Sequence, residues 1–121
     1  FSNLVVLERP DTQGRTYYDE TISNNTIDLS VNNVVYTTIE KDTIWGIDLK
    51  FQKYFTPATS GKIRIYLSEN QIDLKRPVRI LVNGQEKFNG RLRPSLKAMA
   101  ESLSVFYDPE RIFPVYVDIT I

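Results

Sequence analysis

The chain has 121 residues, equal numbers of basic and acidic side chains (15 each), no cysteine and no histidine. That length suits one domain with one continuous core, and the charge balance leaves no global basic field for nucleic acid or an anionic membrane. The missing thiols and imidazoles exclude thiolate nucleophiles, Cys or His metal sites and any Ser-His-Asp triad completed within the chain.

The opening "FSNLVVLERP" lacks both a basic n-region and an initiating Met, so it reads as the start of a piece excised from a larger chain. No stretch reaches the ~20 apolar residues of a membrane span. "LVVLE" and "RTYYDETI" read as strands, with Pro10 to Gly14 as a turn between them. In "TIDLSV", Ile27, Leu29 and Val31 alternate with Asp28 and Ser30, the period of a half-buried strand. Asn24-Asn25 and Asn32-Asn33 read as turns before and after it, and "VVYTTIE" as a further strand. "TIWGIDLKF" puts Trp45, Ile47, Leu49 and Phe51 on one face, which predicts a core face. After a turn at Pro57 to Gly61, "GKIRIYL" points Ile63, Ile65 and Leu67 inward and Lys62 and Arg64 outward.

"ILVNGQEKFNG" joins two further strands. Val78, Ile80 and Val82 share the core face. A bare two-residue Asn83-Gly84 turn sets Phe88 opposite Arg79 on the outer face, whereas a three-residue loop with Gly84 in a bulge sets it beside Val78 on the core face. The three-residue loop is expected, with Asn89-Gly90 as a bend or bulge in the return strand. "PSLKAMAESLSVFYDP" changes period: Leu96, Met99, Ala100, Leu103 and Tyr107 recur at helical spacing, Pro94 suits the first turn and Asp108-Pro109 ends the run, which predicts one short helix near residues 95–107. "PVYVDITI" closes the chain with Val115, Val117, Ile119 and Ile121 inward. The expected fold is all-β: a single domain over residues 1–121, an immunoglobulin-like or related two-sheet antiparallel sandwich carrying one helix.

Candidate sites are few. Tyr17 and Tyr18 are adjacent in a strand, so one faces outward, and Tyr36, Tyr54, Tyr66 and Tyr116 fall at or near positions read as solvent-facing. Aromatic rings on a β-sandwich suit stacking against sugar faces, and Tyr17, Tyr18, Tyr54 and Tyr66 are the candidate ligand-binding residues. Strands also favour tyrosine simply for packing area and a wet hydroxyl. A glycosidase needs two carboxylates across a cleft. Asp19, Glu20, Asp28, Asp48, Asp73 and Glu86 alternate with apolar residues or lie in turns, where solvated acids belong. "DETISNN" offers Asp19, Glu20 and an Asn carbonyl to calcium without matching a loop of fixed ligand spacing. Lys75, Arg76, Arg79, Arg91, Arg93 and Lys97 cluster in sequence, and edge-strand protection accounts for them without an anionic ligand. No serine sits in a G-x-S-x-G elbow or an S-x-x-K dyad. No catalytic residue, metal or cofactor is expected.

From Gly61 onward the stretches "IRIYLSENQIDLKRPVRILVNGQEKFNGRL" and "SLKAMAESLSVFYDPERIFPVYVDITI" resemble the all-β C-terminal domain that follows the catalytic domain in secreted α/β-hydrolase-type enzymes of Bacteroidetes and related bacteria. Asp73, Pro77, Val78, Asn83, Gly84, Phe88, Gly90, Asp108, Pro109, Arg111, Phe113 and Pro114 occupy that family's motif positions. The likeness covers about half the chain, and residues 1–60 carry no matching motif. The resemblance implies a non-catalytic accessory domain of an exported peptidase or esterase, in the periplasm, at the cell surface or secreted. Its partner is then an upstream catalytic domain of the same chain. A carbohydrate-binding module and a structural or adhesive domain are the alternatives.

Overall fold

The computed structural model describes residues 3–10, 14–43, 46–108 and 112–121, without the side chains of residues 37–43 and 47–51. Trp45, Pro109 and Arg111 lie outside the described residues, as does the inward face expected for Trp45, Ile47, Leu49 and Phe51. The elements are β1 (Leu4–Glu8), β2 (Thr16–Ser23), β3 (Thr26–Thr43), β4 (Gly46–Pro57), β5 (Lys62–Leu67), β6 (Val78–Val82), β7 (Gln85–Gly90), α1 (Leu96–Phe106) and β8 (Val115–Thr120).

Strict alternation decides the core. Ile27, Leu29 and Val31 of β3, Ile63, Ile65 and Leu67 of β5, Val78, Ile80 and Val82 of β6, and Val115, Val117 and Ile119 of β8 meet in one buried cluster. Burying each such side chain contributes about 1.5–3 kcal/mol. They come from two facing sheets, one ordered β1-β5-β8 and the other β2-β3-β6-β7, with β4 also paired to β3. This is the expected sandwich, with one departure from an antiparallel ladder: Thr26–Leu29 of β3 runs parallel to Arg79–Val82 of β6. The chain reaches β6 only after crossing to the opposite sheet through β5, which permits that parallel pairing.

Asn32 and Asn33 do not form the expected turn. They lie inside β3, opposite Tyr17 and Thr16 of β2 on one side and Pro57 and Thr56 of β4 on the other. A strand paired on both sides gains ladder hydrogen bonds that outweigh the turn preference of asparagine, and Thr16 Oγ1 donates to Asn33 Oδ1 at 3.0 Å. β3 therefore runs on past the sandwich. Beyond Val34 it pairs only with β4 among the described residues, giving a two-stranded ribbon roughly 30 Å long at ~3.3 Å per residue.

The Asn83-Gly84 connection is a two-residue turn, closed by Val82 opposite Gln85, with φ of 50° and 80° as a type I′ turn requires. The three-residue loop is thus corrected. The extra residue sits farther along, where the register shifts between Ile80 and Leu81, so that Phe88 pairs with Ile80, neither opposite Arg79 as the bare turn sets it nor beside Val78 as the longer loop does. Phe88 still packs against the core, as expected, and Asn89 and Gly90 continue the ladder opposite Arg79 and Val78 without a bulge. The bulge rescues a parity that the tight turn alone reverses.

Asn83 has a second task. Its main-chain N–H donates to Leu29 O at 2.8 Å, its carboxamide oxygen accepts from Val31 N at 2.9 Å, and its amide nitrogen donates to Val31 O at 3.0 Å. The side chain imitates a strand residue where β6 ends, and Ala58 N also donates to Val31 O at 2.9 Å where the β4 connection begins. Asn25 clamps the 68–77 loop in the same manner, donating to Asp73 O and accepting from Asp73 N, both at 2.8 Å.

Helix α1 forms where expected but with a different face inward. Ser95 is the N-cap, accepting from Ala98 N at 3.0 Å, and Tyr107 caps the C-terminus at φ 53° with its N–H on Leu103 O. Pro94 therefore precedes the cap instead of occupying the first turn. The buried positions are Ala98 and Ser102, with Ser102 Oγ donating to Met99 O and accepting from Phe113 N, both at 2.9 Å. Small residues face the sheet because Tyr66, Phe106 and Phe113 already fill that space, their ring centroids 5.3–5.9 Å apart. The expected face of Leu96, Met99, Ala100, Leu103 and Tyr107 points mainly outward: Leu96 is 82% exposed and Tyr107 86%.

Replacing Asn83 with Ala removes both side-chain bonds to Val31 and places a Cβ-bearing residue without side-chain compensation at positive φ. The expected loss is about 1–3 kcal/mol, read from the urea midpoint; an unchanged midpoint would show that the Val31 bonds are replaced by water without cost.

Candidate functional site

The four tyrosines read as ligand-binding do not converge. Tyr66 is fully buried, because α1 and Phe113 cover the outer face of β5, and the expectation that it faces solvent is corrected. Tyr18 is half-buried and packs against the core, and burial raises its hydroxyl above the ordinary value while Arg9 lowers it. Tyr17 is 42% exposed, on the outer face. Tyr54 is exposed too, but its row, opposite Val35, belongs to the other face, and its hydroxyl donates to Gln52 Oε1 at 2.6 Å.

What gathers around Tyr17 is different. Phe55 meets its ring edge-on, centroids 6.1 Å apart at 68°, and Lys53 Nζ lies 5.4 Å from the Tyr17 centroid and 5.0 Å from that of Phe55. Tyr36 stands opposite Lys53 in the same row and is exposed. Val34 is buried beneath them, and Gly14 closes this corner: a Cβ there would meet Val34 O at 2.9 Å. The cluster joins residues 17, 34, 36, 53 and 55 at the root of the ribbon. Tyr36 reads as solvent-facing in sequence but is not among the ligand-binding candidates, and neither are Phe55 and Lys53, because their neighbourhood depends on β2 and β4 flanking the same stretch of β3.

Charged groups form local pairs. Arg79 bonds Glu86 at 3.0 Å, Arg76 lies 3.4 Å from Asp73, and Lys97 lies 3.9 Å from Glu101, so these three cations of the 75–97 stretch are matched to acids. On the outer face of the β1-β5-β8 sheet, Arg64 holds Asp118 through two bonds of 2.7 and 3.1 Å, approaches Glu101 at 3.5 Å, and lies over the Tyr116 ring at 4.3 Å. The Asp118 bond holds this guanidinium above its ordinary value despite partial burial. This network ties α1 to β5 and β8.

Asp19, Asp28, Asp73 and Glu86 are exposed, as expected. Glu20 is the exception: β2 alternates, so Glu20 turns inward while Asp19 turns out, and the two cannot close on one calcium ion. Among the described residues no group of three acids, His or Cys is placed to hold a metal. Glu20 Oε2 is buried without a hydrogen-bond partner, and desolvation raises the carboxyl above its ordinary value while a hydrogen bond with Asn3 lowers it. A surface cleft of about 460 Å³ lies over the 69–76 loop beside Asn24 and Asn25. Its floor is the Asn25 clamp, which is structural.

Because the folded state holds the Glu20 proton more tightly than the unfolded chain, stability falls as pH rises from the ordinary carboxyl value of 4.5 through the raised one. Glu20→Gln should therefore raise the urea midpoint at neutral pH and leave it near wild type below 4.5; an equal effect at both pH values would place the cost in packing instead of ionisation.

Compared with protein family models, curated proteins and solved structures, the chain finds no match in any of the three.

Proposed function

We propose that this chain is a non-catalytic accessory domain that docks, through the outer face of α1, against a catalytic domain of the same polypeptide, an exported serine hydrolase of peptidase or esterase type. The observation that carries the docking is the ridge on that helix. Leu96 and Leu103 share one side of a helix whose opposite side is packed on Tyr66 and which is capped at both ends, with Val105, the left-handed C-cap Tyr107 and, beyond the helix, Ile112 also exposed. A well-anchored helix with large apolar side chains turned outward is the kind of surface that another protein face covers. The parent activity rests on the family resemblance of residues 61–121 alone. The lack of His and Cys leaves this chain without the bases and thiols of that hydrolase chemistry.

The carbohydrate alternative has less behind it. Sugar stacking needs an open ring face, and Lys53 lies across both Tyr17 and Phe55, which meet edge-on instead of forming a flat platform.

In the isolated chain, Leu103→Asp should lower the thermal midpoint by no more than a few degrees, since the residue is 41% exposed. In the longer polypeptide the same change should lower the unfolding temperature of the catalytic domain and deprotect the α1 surface in footprinting. A Tyr107 ring as accessible to footprinting in the longer polypeptide as in the isolated chain would sink the docking surface.

A further inference from the structure

The ribbon has two free edges, and the two are not alike. Past Val34, β3 and β4 pair with each other and with no third strand among the described residues, so residues 35–43 of β3 and 47–55 of β4 each form an edge that no described strand covers. On the β3 edge, antiparallel pairing with an identical strand about Glu40, Lys41 or Asp42 sets like charges together: Glu40 against Glu40, Lys41 against Lys41 with Glu40 against Asp42, or Asp42 against Asp42. Each of these three registers is disfavoured between identical strands.

The β4 edge has the opposite property. It reads Ile47-Asp48-Leu49-Lys50-Phe51, an apolar residue at the centre, an acid and a base on either side, and apolar residues outside them. Antiparallel pairing of two such strands about Leu49 sets Asp48 of each copy opposite Lys50 of the other, and Ile47 opposite Phe51. A shift of the centre by one residue sets Asp48 or Lys50 against itself. The register is therefore specified by charge as well as by the two-residue period. Within the ribbon Asp48 is the register partner of Lys41.

We propose that a second copy of this chain adds to the β4 edge, antiparallel and two-fold symmetric about Leu49, joining two ribbons into one four-stranded sheet. The occupant is a second copy because the edge is complementary to itself, as an isologous interface demands. A single strand ladder is smaller than a standard interface of roughly 1,600 Å², so the dimer forms and dissociates with concentration. The two charge pairs make it weaker at high salt.

Sedimentation velocity of the 121-residue chain, from low micromolar to near-millimolar concentration, should show a monomer–dimer equilibrium. Lys50→Asp, which sets acid against acid twice, and Asp48→Lys, which sets base against base, should each weaken it by about tenfold or more. The double exchange Asp48→Lys with Lys50→Asp should restore it, and that rescue separates a lost interface from a lost fold. Leu103→Asp should leave the dimer intact. A chain that stays monomeric throughout, single variants that associate like wild type, a double exchange that fails to rescue, or a dimer lost only with Leu103→Asp would each overturn the proposal.

Discussion

The architecture turns on one strand that changes neighbours. β3 begins as a sandwich strand, parallel to β6 on one side and antiparallel to β2 on the other, and ends as half of a ribbon with β4. At the handover, Val31 has lost β6 and not yet gained β4, so a buried strand faces two unmatched peptide groups. Asn83 supplies a primary amide, which carries a donor and an acceptor in the geometry of a peptide, and Ala58 N adds a further bond. Unpaired buried backbone groups cost about 1–3 kcal/mol each, so a residue lacking this amide at position 83 leaves the handover strained. The turn that holds Asn83 at positive φ is thus a part of the sheet.

The same turn explains the bulge in β7. A two-residue type I′ connection reverses the chain with the right twist but delivers Phe88 to the solvent face, where its ring has nothing to pack against. Inserting one residue between the Leu81 and Ile80 pairings restores the inward face. Turn chemistry and hydrophobic parity made conflicting demands, and the bulge satisfies both. In sequence the conflict was visible, and so was its outcome for Phe88. Its location was not, since a residue can be inserted anywhere between turn and ring.

Other features divide along the same physical line. Alternation identified the inward residues of β3, β5, β6 and β8 because burial on one face is a local, period-two signal. It could not report whether the opposite face is covered as well, and Tyr66 is buried for that reason: α1, thirty residues later, lies over it. The helix was legible from its spacing and caps, yet its phase was inverted, because large apolar residues were assumed to face the sheet. With Tyr66, Phe106 and Phe113 in place, only Ala98 and Ser102 fit there. The Asn32-Asn33 pair failed as a turn because pairing on both sides is a tertiary fact. The candidate tyrosines failed to converge for a similar reason, since adjacent residues on a strand face opposite ways.

The inverted phase bears on function more than any catalytic side chain does. A helix that only plugged a sandwich would be expected to turn Lys, Glu and Gln outward, and α1 has Lys97 and Glu101 on one flank to keep it soluble. It also exposes Leu96 and Leu103 on one side, and Tyr107 at its C-cap, where polar residues would be tolerated at no cost to the core. The packing against Tyr66 is made by other residues, Phe106 and Phe113 among them. The proposed docking face would account for the apolar side chains turned the other way. The ribbon edge presents a different chemistry, backbone bonds and alternating charge, so the two surfaces suit different neighbours. Under the two proposals, α1 would take a large apolar contact within a longer polypeptide, and β4 a reversible one between copies. α1 packs on the β1-β5-β8 sheet and β4 extends the other sheet, so a neighbour on one surface has no need of the residues of the other.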